Sequence, residues 1–220
     1  MYKNGFLKVS AVTPKIIAGD IENNKNEILK MLNKTDAGLI LFPELTITGY
    51  SVSDLFFQTK IIKDSLSALN DILNNNTHEG LAFIGMPLEV NSVLFNVGVV
   101  IQKNKVLGVI PKYYLPNHLE YLEKRWFESG FNANFNEVVL FGELVTFGHI
   151  LFKEEEKELT LGVEICQDMW QINPPSNDLA MAGANVILNL SASSELINKD
   201  ALRRDVVKEH SRRQTAAYIY

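Results

Sequence analysis

The sequence predicts an α/β domain built in layers around mixed β-sheet. Short apolar runs of strand character recur along the chain, segments with helical spacing separate them near both ends, and paired strands with turns between them fill the middle. No internal repeat, low-complexity tract or linker interrupts the 220 residues, so residues 1–220 are read as one domain, long enough to bury a substantial core.

Phe6 to Val12 reads as the first strand. Asp20 is a plausible N-cap for a helix over Ile21 to Asn33, with Ile21, Ile28, Leu29 and Leu32 on one face. Gly38-Leu39-Ile40-Leu41-Phe42 is wholly apolar, the pattern of a strand buried on both faces. Ile62, Leu66, Leu69 and Leu73 keep helical spacing over residues 59 to 74, and Asn74-Asn75-Asn76 ends that helix. Leu81 to Met86 is another apolar strand, and Leu94 to Gln102 with Val106 to Ile110 flank a hairpin turn at Lys103-Asn104-Lys105. Residues 111 to 136 are polar and aromatic without a clean period, which reads as a long functional loop with short helical pieces. Val145 to Phe152 and Leu159 to Ile165 are expected to form a second hairpin around the solvated acidic run Glu154-Glu155-Glu156. A helix near Asn177 to Ala182, the strand Asn185 to Leu190 and a heavily charged helix over about Lys199 to Ala217 follow. The chain stops on Tyr218-Ile219-Tyr220, which resembles the start of a further strand, so a C-terminally truncated piece of a longer protein is expected.

Composition narrows the function. A net charge of -5 argues against nucleic acid as a partner, because phosphate binding needs concentrated Lys and Arg. One cysteine excludes an internal disulfide and suits a reducing cytoplasm, where the protein is expected. No segment reaches the roughly 18 consecutive apolar residues of a membrane helix, so no membrane association is expected. A single cysteine and the scattered histidines His78, His118, His149 and His210 have no metal-ligand spacing, so no metal is expected.

Three reactive side chains stand at the ends of apolar strands. The run Leu161 to Ile165 ends at Cys166, Leu39 to Phe42 ends at Pro43-Glu44, and Val106 to Ile110 ends at Pro111-Lys112. Each alone has a bland reading: a lone cysteine is a small core hydrophobe, and a charge after a strand is usually solvated. Together they suit one chemistry, since strand ends at one edge of a layered sheet gather around a common cleft. A thiolate attacks an amide or nitrile carbon, and a carboxylate accepts the thiol proton and returns it to the leaving nitrogen. An ammonium and the backbone N–H of Gln167 would hold the oxyanion.

Phe42-Pro43-Glu44-Leu45, Pro111-Lys112 and Gly162-Val163-Glu164-Ile165-Cys166 resemble the Glu-Lys-Cys signature of the nitrilase (carbon–nitrogen hydrolase) superfamily. Glu44-Leu45-Thr46-Ile47-Thr48-Gly49-Tyr50, followed by Asp54-Leu55-Phe56, is similar to the glutamine amidotransferase domain of glutamine-dependent NAD⁺ synthetases. So are Lys112 to Asn117, Glu123-Lys124-Arg125-Trp126-Phe127 and Asn189-Leu190-Ser191-Ala192-Ser193. The resemblance implies a nitrilase-like α-β-β-α four-layer sandwich that hydrolyses glutamine to glutamate and ammonia. It implies Cys166 as nucleophile, Glu44 as general base and acid, Lys112 as oxyanion stabiliser and Glu123 as a supporting acid beside them. Tyr50, His118, Tyr121, Gln167, Ser193 and Lys199 match positions that line the glutamine pocket.

Some positions depart from the family pattern. His118 stands where a tyrosine is frequent, Gln167 where a glutamate is usual, and Asn198-Lys199 where Gly-Lys is usual. A neutral Gln167 would hold a substrate ammonium less strongly. The resemblance implies a synthetase domain that uses ATP and Mg²⁺ to amidate nicotinic acid adenine dinucleotide, but no Ser-Gly-Gly-x-Asp-Ser loop or Walker A pattern occurs here. That domain is therefore absent from this chain, and the glutaminase part needs no cofactor of its own. A homo-oligomer is expected, with the Arg203, Arg204, Arg212 and Arg213 face or a cut sheet edge as its surface. Three other readings stand beside this one: a free-standing amidase or nitrilase using the same trio, a papain-like Cys-His protease, and an idle binding domain.

Overall fold

Leu39, Ile40 and Leu41 give their strand no polar face, and the fold buries it on both sides. The structure is a computed structural model and describes residues 2–3, 5–154, 156 and 158–220. Its strands are β1 (Tyr2–Lys3), β2 (Phe6–Leu7), β3 (Val9–Ala11), β4 (Leu39–Leu41), β5 (Leu81–Val90), β6 (Val93–Gln102), β7 (Lys105–Pro111), β8 (Glu137–Leu140), β9 (Glu143–Thr146), β10 (Leu151–Glu154), β11 (Leu159–Ile165), β12 (Val186–Leu190) and β13 (Ala217–Ile219). Its helices are α1 (Ile21–Leu32), α2 (Thr59–Asn75), α3 (Pro175–Met181) and α4 (Lys199–Gln214).

A five-stranded sheet has the order β3-β4-β5-β6-β7, and a four-stranded sheet has the order β10-β11-β12-β13. Leu39, Leu41, Phe83, Ile110, Val163 and Leu188 meet between the two sheets. Alternate residues of the first sheet, Ile40 and Ile84 among them, pack instead on Ile28, Leu69 and Ile72 of α1 and α2. Leu179 of α3 covers Ile187 and Ala216 on the outer face of the second sheet. The layers are thus α-β-β-α, a mixed fold of the kind the motifs imply.

Strand direction places the chemistry. β3, β4 and β5 are parallel, and the two antiparallel steps from β5 to β6 and from β6 to β7 restore the original direction at β7. The C-terminal ends of β4 and β7 therefore share one edge. Gly85 makes that edge possible: a Cβ there would lie 2.4 Å from Leu45 N and 2.5 Å from Pro43 O. Both neighbours are backbone, so Gly85→Ala must displace the turn that carries Glu44. We expect it to cost about 2 kcal/mol or more, checked by urea unfolding.

Several elements differ from the sequence reading. The first strand breaks at Lys8 into β2, which pairs with β1, and β3, which joins the large sheet. Val145 to Phe152 is not one strand: Gly148, at φ +135°, separates β9 from β10. β9 pairs with β8 through a turn at Phe141 and Gly142, both at positive φ, so only β10 forms the hairpin with β11. The buried face of α2 is Ser65, Ala68, Leu69, Ile72 and Leu73, with Ile62 and Leu66 only partly covered. The last helix stops at Gln214 because Thr215 turns left-handed at φ +53°, and Ala217 already belongs to β13. Glu154 and Glu156 are exposed, and Glu155 of the same acidic run lies outside the described residues. Among the described residues, no helix is long and apolar enough to cross a membrane.

Candidate active site

Glu44 follows Pro43 off the end of β4, where Leu45 takes a positive φ of 50° and turns the chain across β5. Its Oε1 accepts from Lys112 Nζ at 2.5 Å and from Asn96 Nδ2 at 2.7 Å. Among the described residues, Oε2 accepts only the longer bond from Ala192 N, 3.2 Å, which comes from the other sheet's edge. Lys112 follows the end of β7 and has no solvent exposure. Its Nζ also donates to Glu123 Oε1 at 2.6 Å, an oxygen that Tyr50 Oη reaches at 2.7 Å. Burial pulls the Lys112 ammonium down, but the charge of Glu44, then those of Cys166 and Glu123, outweighs it and the ammonium is held above its ordinary value.

Glu123 is the acid that this arrangement strains. Burial and then the charge of Glu44 push its carboxyl up to about 7, against the opposing pull of Lys112. Its Oε2 is buried without a hydrogen-bond partner. A carboxyl raised on folding binds more protons in the folded state, so its contribution favours folding fully below about 4.5 and is lost as pH rises to about 7. We expect the wild type to lose on the order of 3 kcal/mol over that window relative to Glu123→Gln, checked by urea unfolding of both at pH 5 and pH 8.

Two sequence stretches that are far apart combine to hold Glu123. Asp54 Oδ1 accepts from Arg125 Nε at 2.7 Å and Trp126 Nε1 at 2.9 Å, and Oδ2 accepts from Arg125 Nη2 at 2.9 Å. The Arg125 and Trp126 bonds hold the exposed Asp54 carboxyl down to about 2. Phe56 stacks edge-on against Phe127 at 4.8 Å and tilts against Trp126 at 5.8 Å. The long 111–136 loop is thereby pinned where Glu123 meets Lys112.

Cys166 directly follows β11 and opens a short 3₁₀ turn, with φ at +45°. Its own N–H donates to Asn189 Oδ1 at 2.9 Å. Asp168 ties this turn to the Lys112 loop: Oδ2 accepts from Ile165 N at 3.0 Å, and Oδ1 from Tyr113 N at 3.2 Å and Tyr114 N at 2.8 Å. Burial, then the Glu164 charge, raises the Asp168 carboxyl, and the backbone N–H groups oppose this. The Cys166 thiol is pushed up to about 12 by burial and by Glu44, with Lys112 and a hydrogen bond to Ser191 pulling the other way. A thiol held so high rests protonated, so a neighbouring base must take its proton as sulfur attacks.

In front of Cys166 lies a cavity of about 520 Å³. His118, Tyr121, Gln167, Ser193 and Lys199 line it, together with Trp170. Of the six residues expected around a substrate, Tyr50 alone is absent from this lining; it stands behind, against Glu123 and edge-on to Tyr121 at 6.0 Å. Ser194, which sequence reasoning passed over for Ser193, makes the rim's polar bonds: its Oγ accepts from Tyr121 Oη at 2.9 Å and from Lys199 Nζ at 3.0 Å. Asn96, Asn189 and Asp168 were missed as well. The signal for both asparagines was there, since each interrupts an apolar strand, and a buried amide in such a strand needs a partner. Among the described residues, no group of three or more His, Cys, Asp or Glu side chains is placed to hold a metal ion.

Comparison with known proteins gives the family and the fold that the chain shares. The sequence profile of the carbon–nitrogen hydrolase family matches residues 8–215. The chain is 36% identical over its full length to the glutamine-dependent NAD(+) synthetase of Mycobacterium tuberculosis, of which the match covers 33%. It spans about a third of the length of the curated relatives it matches. The glutamine-dependent NAD(+) synthetase of Cytophaga hutchinsonii superposes on 96% of the chain with a TM-score of 0.85 at 24% identity, over 35% of that protein. A nitrilase-superfamily amidase from Nesterenkonia superposes on 97% with a TM-score of 0.75 at 15% identity, over 75% of that protein.

Proposed function

The chain belongs to the carbon–nitrogen hydrolase family, and from that premise we propose that it hydrolyses the side-chain amide of glutamine through a thioester on Cys166. The observation that carries the reading is the buried Glu44–Lys112–Glu123 cluster, 2.5 and 2.6 Å between partners, whose charges act directly on the Cys166 thiol.

Cys166 Sγ attacks the amide carbon while its proton passes to Glu44. Oε2 is the oxygen for this, because it has one long hydrogen bond whereas Oε1 has two short ones. The C=O bond becomes a C–O⁻ that Lys112 and the Gln167 N–H stabilise, in a site too dry to screen them. Glu44 then protonates the amide nitrogen, the C–N bond breaks, and ammonia leaves a glutamyl thioester. Water attacks that thioester with Glu44 again as base, releasing glutamate and the thiol. The high resting value of Cys166 suits this order, since the thiolate forms only as the proton reaches Glu44. Glu123 and Tyr50 hold Lys112 in place without touching substrate. His118, Tyr121, Gln167, Ser193 and Lys199 bind the amino-acid end, with Lys199 as the partner of the α-carboxylate. Neither metal nor cofactor enters the scheme.

Residues 1–220 then form the glutaminase domain of a longer glutamine-dependent NAD⁺ synthetase, a reading supported by the full-length similarity to such enzymes. In the parent protein the ammonia goes to an ATP- and Mg²⁺-dependent domain that amidates nicotinic acid adenine dinucleotide. The test is incubation with glutamine, then with a diazo-ketone analogue of glutamine, followed by ammonia assay and intact mass. One adduct per chain is expected, and with a single cysteine its site is unambiguous. Absence of both adduct and ammonia would refute the reading. Simple aliphatic amides hydrolysed better than glutamine would make the protein a general amidase.

A further inference from the structure

The face of the second sheet under α3 and α4 is apolar at Ile187, Leu179 and Ala216, yet it also holds a carboxylate, an amide and a phenol. Glu164 and Asn189 are register partners on β11 and β12, and Tyr218 follows on β13. Asn189 Oδ1 accepts from Cys166 N at 2.9 Å, and Asn189 Nδ2 donates to Tyr218 Oη at 3.1 Å. Tyr218 Oη donates to Glu164 Oε1, whose other oxygen accepts from Ser176 N at 2.9 Å. Glu164, Asn189, Tyr218 and Ser176 do not line the cavity in front of the thiol.

We propose that Glu164, Tyr218 and Asn189 are positioning residues, a one-way hydrogen-bond chain that fixes the backbone of Cys166 and so aims its thiol at Glu44. The direction of the chain is forced. The Cys166 N–H can only donate, so Asn189 turns Oδ1 to it, and Tyr218, which accepts from Nδ2, gives its own proton to Glu164. A flipped amide would set its NH₂ against the Cys166 N–H, donor against donor. The chain matters because Cys166 is a non-glycine residue at φ +45°, a conformation that persists only when its surroundings hold it. His210 stacks on the Tyr218 ring at 5.7 Å and donates from Nε2 to Met169 O at 2.8 Å, so the same elements also grip the far side of the turn.

The inference rests on Cys166 being the nucleophile, and its test does not need the substrate. With one cysteine in the chain, alkylation by iodoacetamide reports one thiol, and ¹⁵N-cysteine labelling gives one amide resonance. Tyr218→Phe is expected to slow alkylation and ammonia release from glutamine by about 10- to 100-fold with KM within about twofold, as expected for misplacement of a reacting atom. The Cys166 amide resonance should move upfield as its hydrogen bond weakens. Asn189→Ala should do the same, and the double variant should lose no more than Asn189→Ala alone, because Tyr218 acts only through Asn189. Glu164→Gln, which keeps an acceptor for Tyr218 but not for Ser176 N, should give a smaller loss in the same direction and serves if Tyr218→Phe folds poorly. Wild-type reactivity and an unmoved resonance in these variants, or losses that multiply in the double variant, would overturn the proposal. If the wild type releases no ammonia from glutamine, the substrate reading fails while alkylation and the amide resonance still decide this one.

Discussion

Cys166→Ala is expected to lower ammonia release from glutamine by about 10⁴-fold or more while leaving the fold in place. No other thiol exists in the chain to replace the nucleophile, so the thioester route closes completely. The side chain is buried at the end of β11, and the change removes one sulfur atom, so the stability cost should stay near about 1 kcal/mol. Unfolding in urea measures that cost, and a coupled glutamate assay measures the rate. A variant that kept wild-type glutaminase activity would remove the mechanism altogether.

Lys112→Met should damage both stability and rate, for separable reasons. Among the described residues the Lys112 ammonium is the only cation bonded to either Glu44 or Glu123, and all three side chains are buried. Removing one partner of such a cluster leaves uncompensated charge, at a cost of about 3–5 kcal/mol. It also removes an oxyanion donor, worth about 10²- to 10³-fold in kcat. Adding Glu123→Gln to Lys112→Met removes one of the two facing carboxylates, so part of the stability should return while the rate does not. Urea unfolding and kcat measured on both variants separate the two losses; recovery of rate along with stability would mean that Lys112 acts only as a structural counter-ion.

The strand tips were legible because an apolar run belongs between layers, and two of the runs stop at a proline followed by a charge, Pro43-Glu44 and Pro111-Lys112, while the third stops at Cys166. That reasoning located Glu44, Lys112 and Cys166 without any view of the fold. It also found the β6–β7 hairpin, where Lys103-Asn104-Lys105 stands between two apolar runs. It failed at Val145 to Phe152, where apolar residues on either side of Gly148 belong to different sheets. The β8–β9 hairpin was hidden because Phe141-Gly142 lacks the Asn or Asp that usually marks such a turn. Asp54 and Trp126 were visible as parts of two motifs, but their bond joins residues 72 positions apart, and no local rule connects them.

From the order of residues alone came the layered α/β class, the three reactive groups and the chemistry they could share, because side-chain type and strand periodicity are local properties. Tertiary structure alone decided how those groups act on one another. The separation of Lys112 from Glu44, the strained turn at Cys166, the raised pKa of Glu123 and the Asn189 bond all depend on burial and on contacts between distant strands. A carboxylate, an ammonium and a thiol are ordinary groups in water. Packed together where water does not reach, each sets the protonation and the orientation of the others.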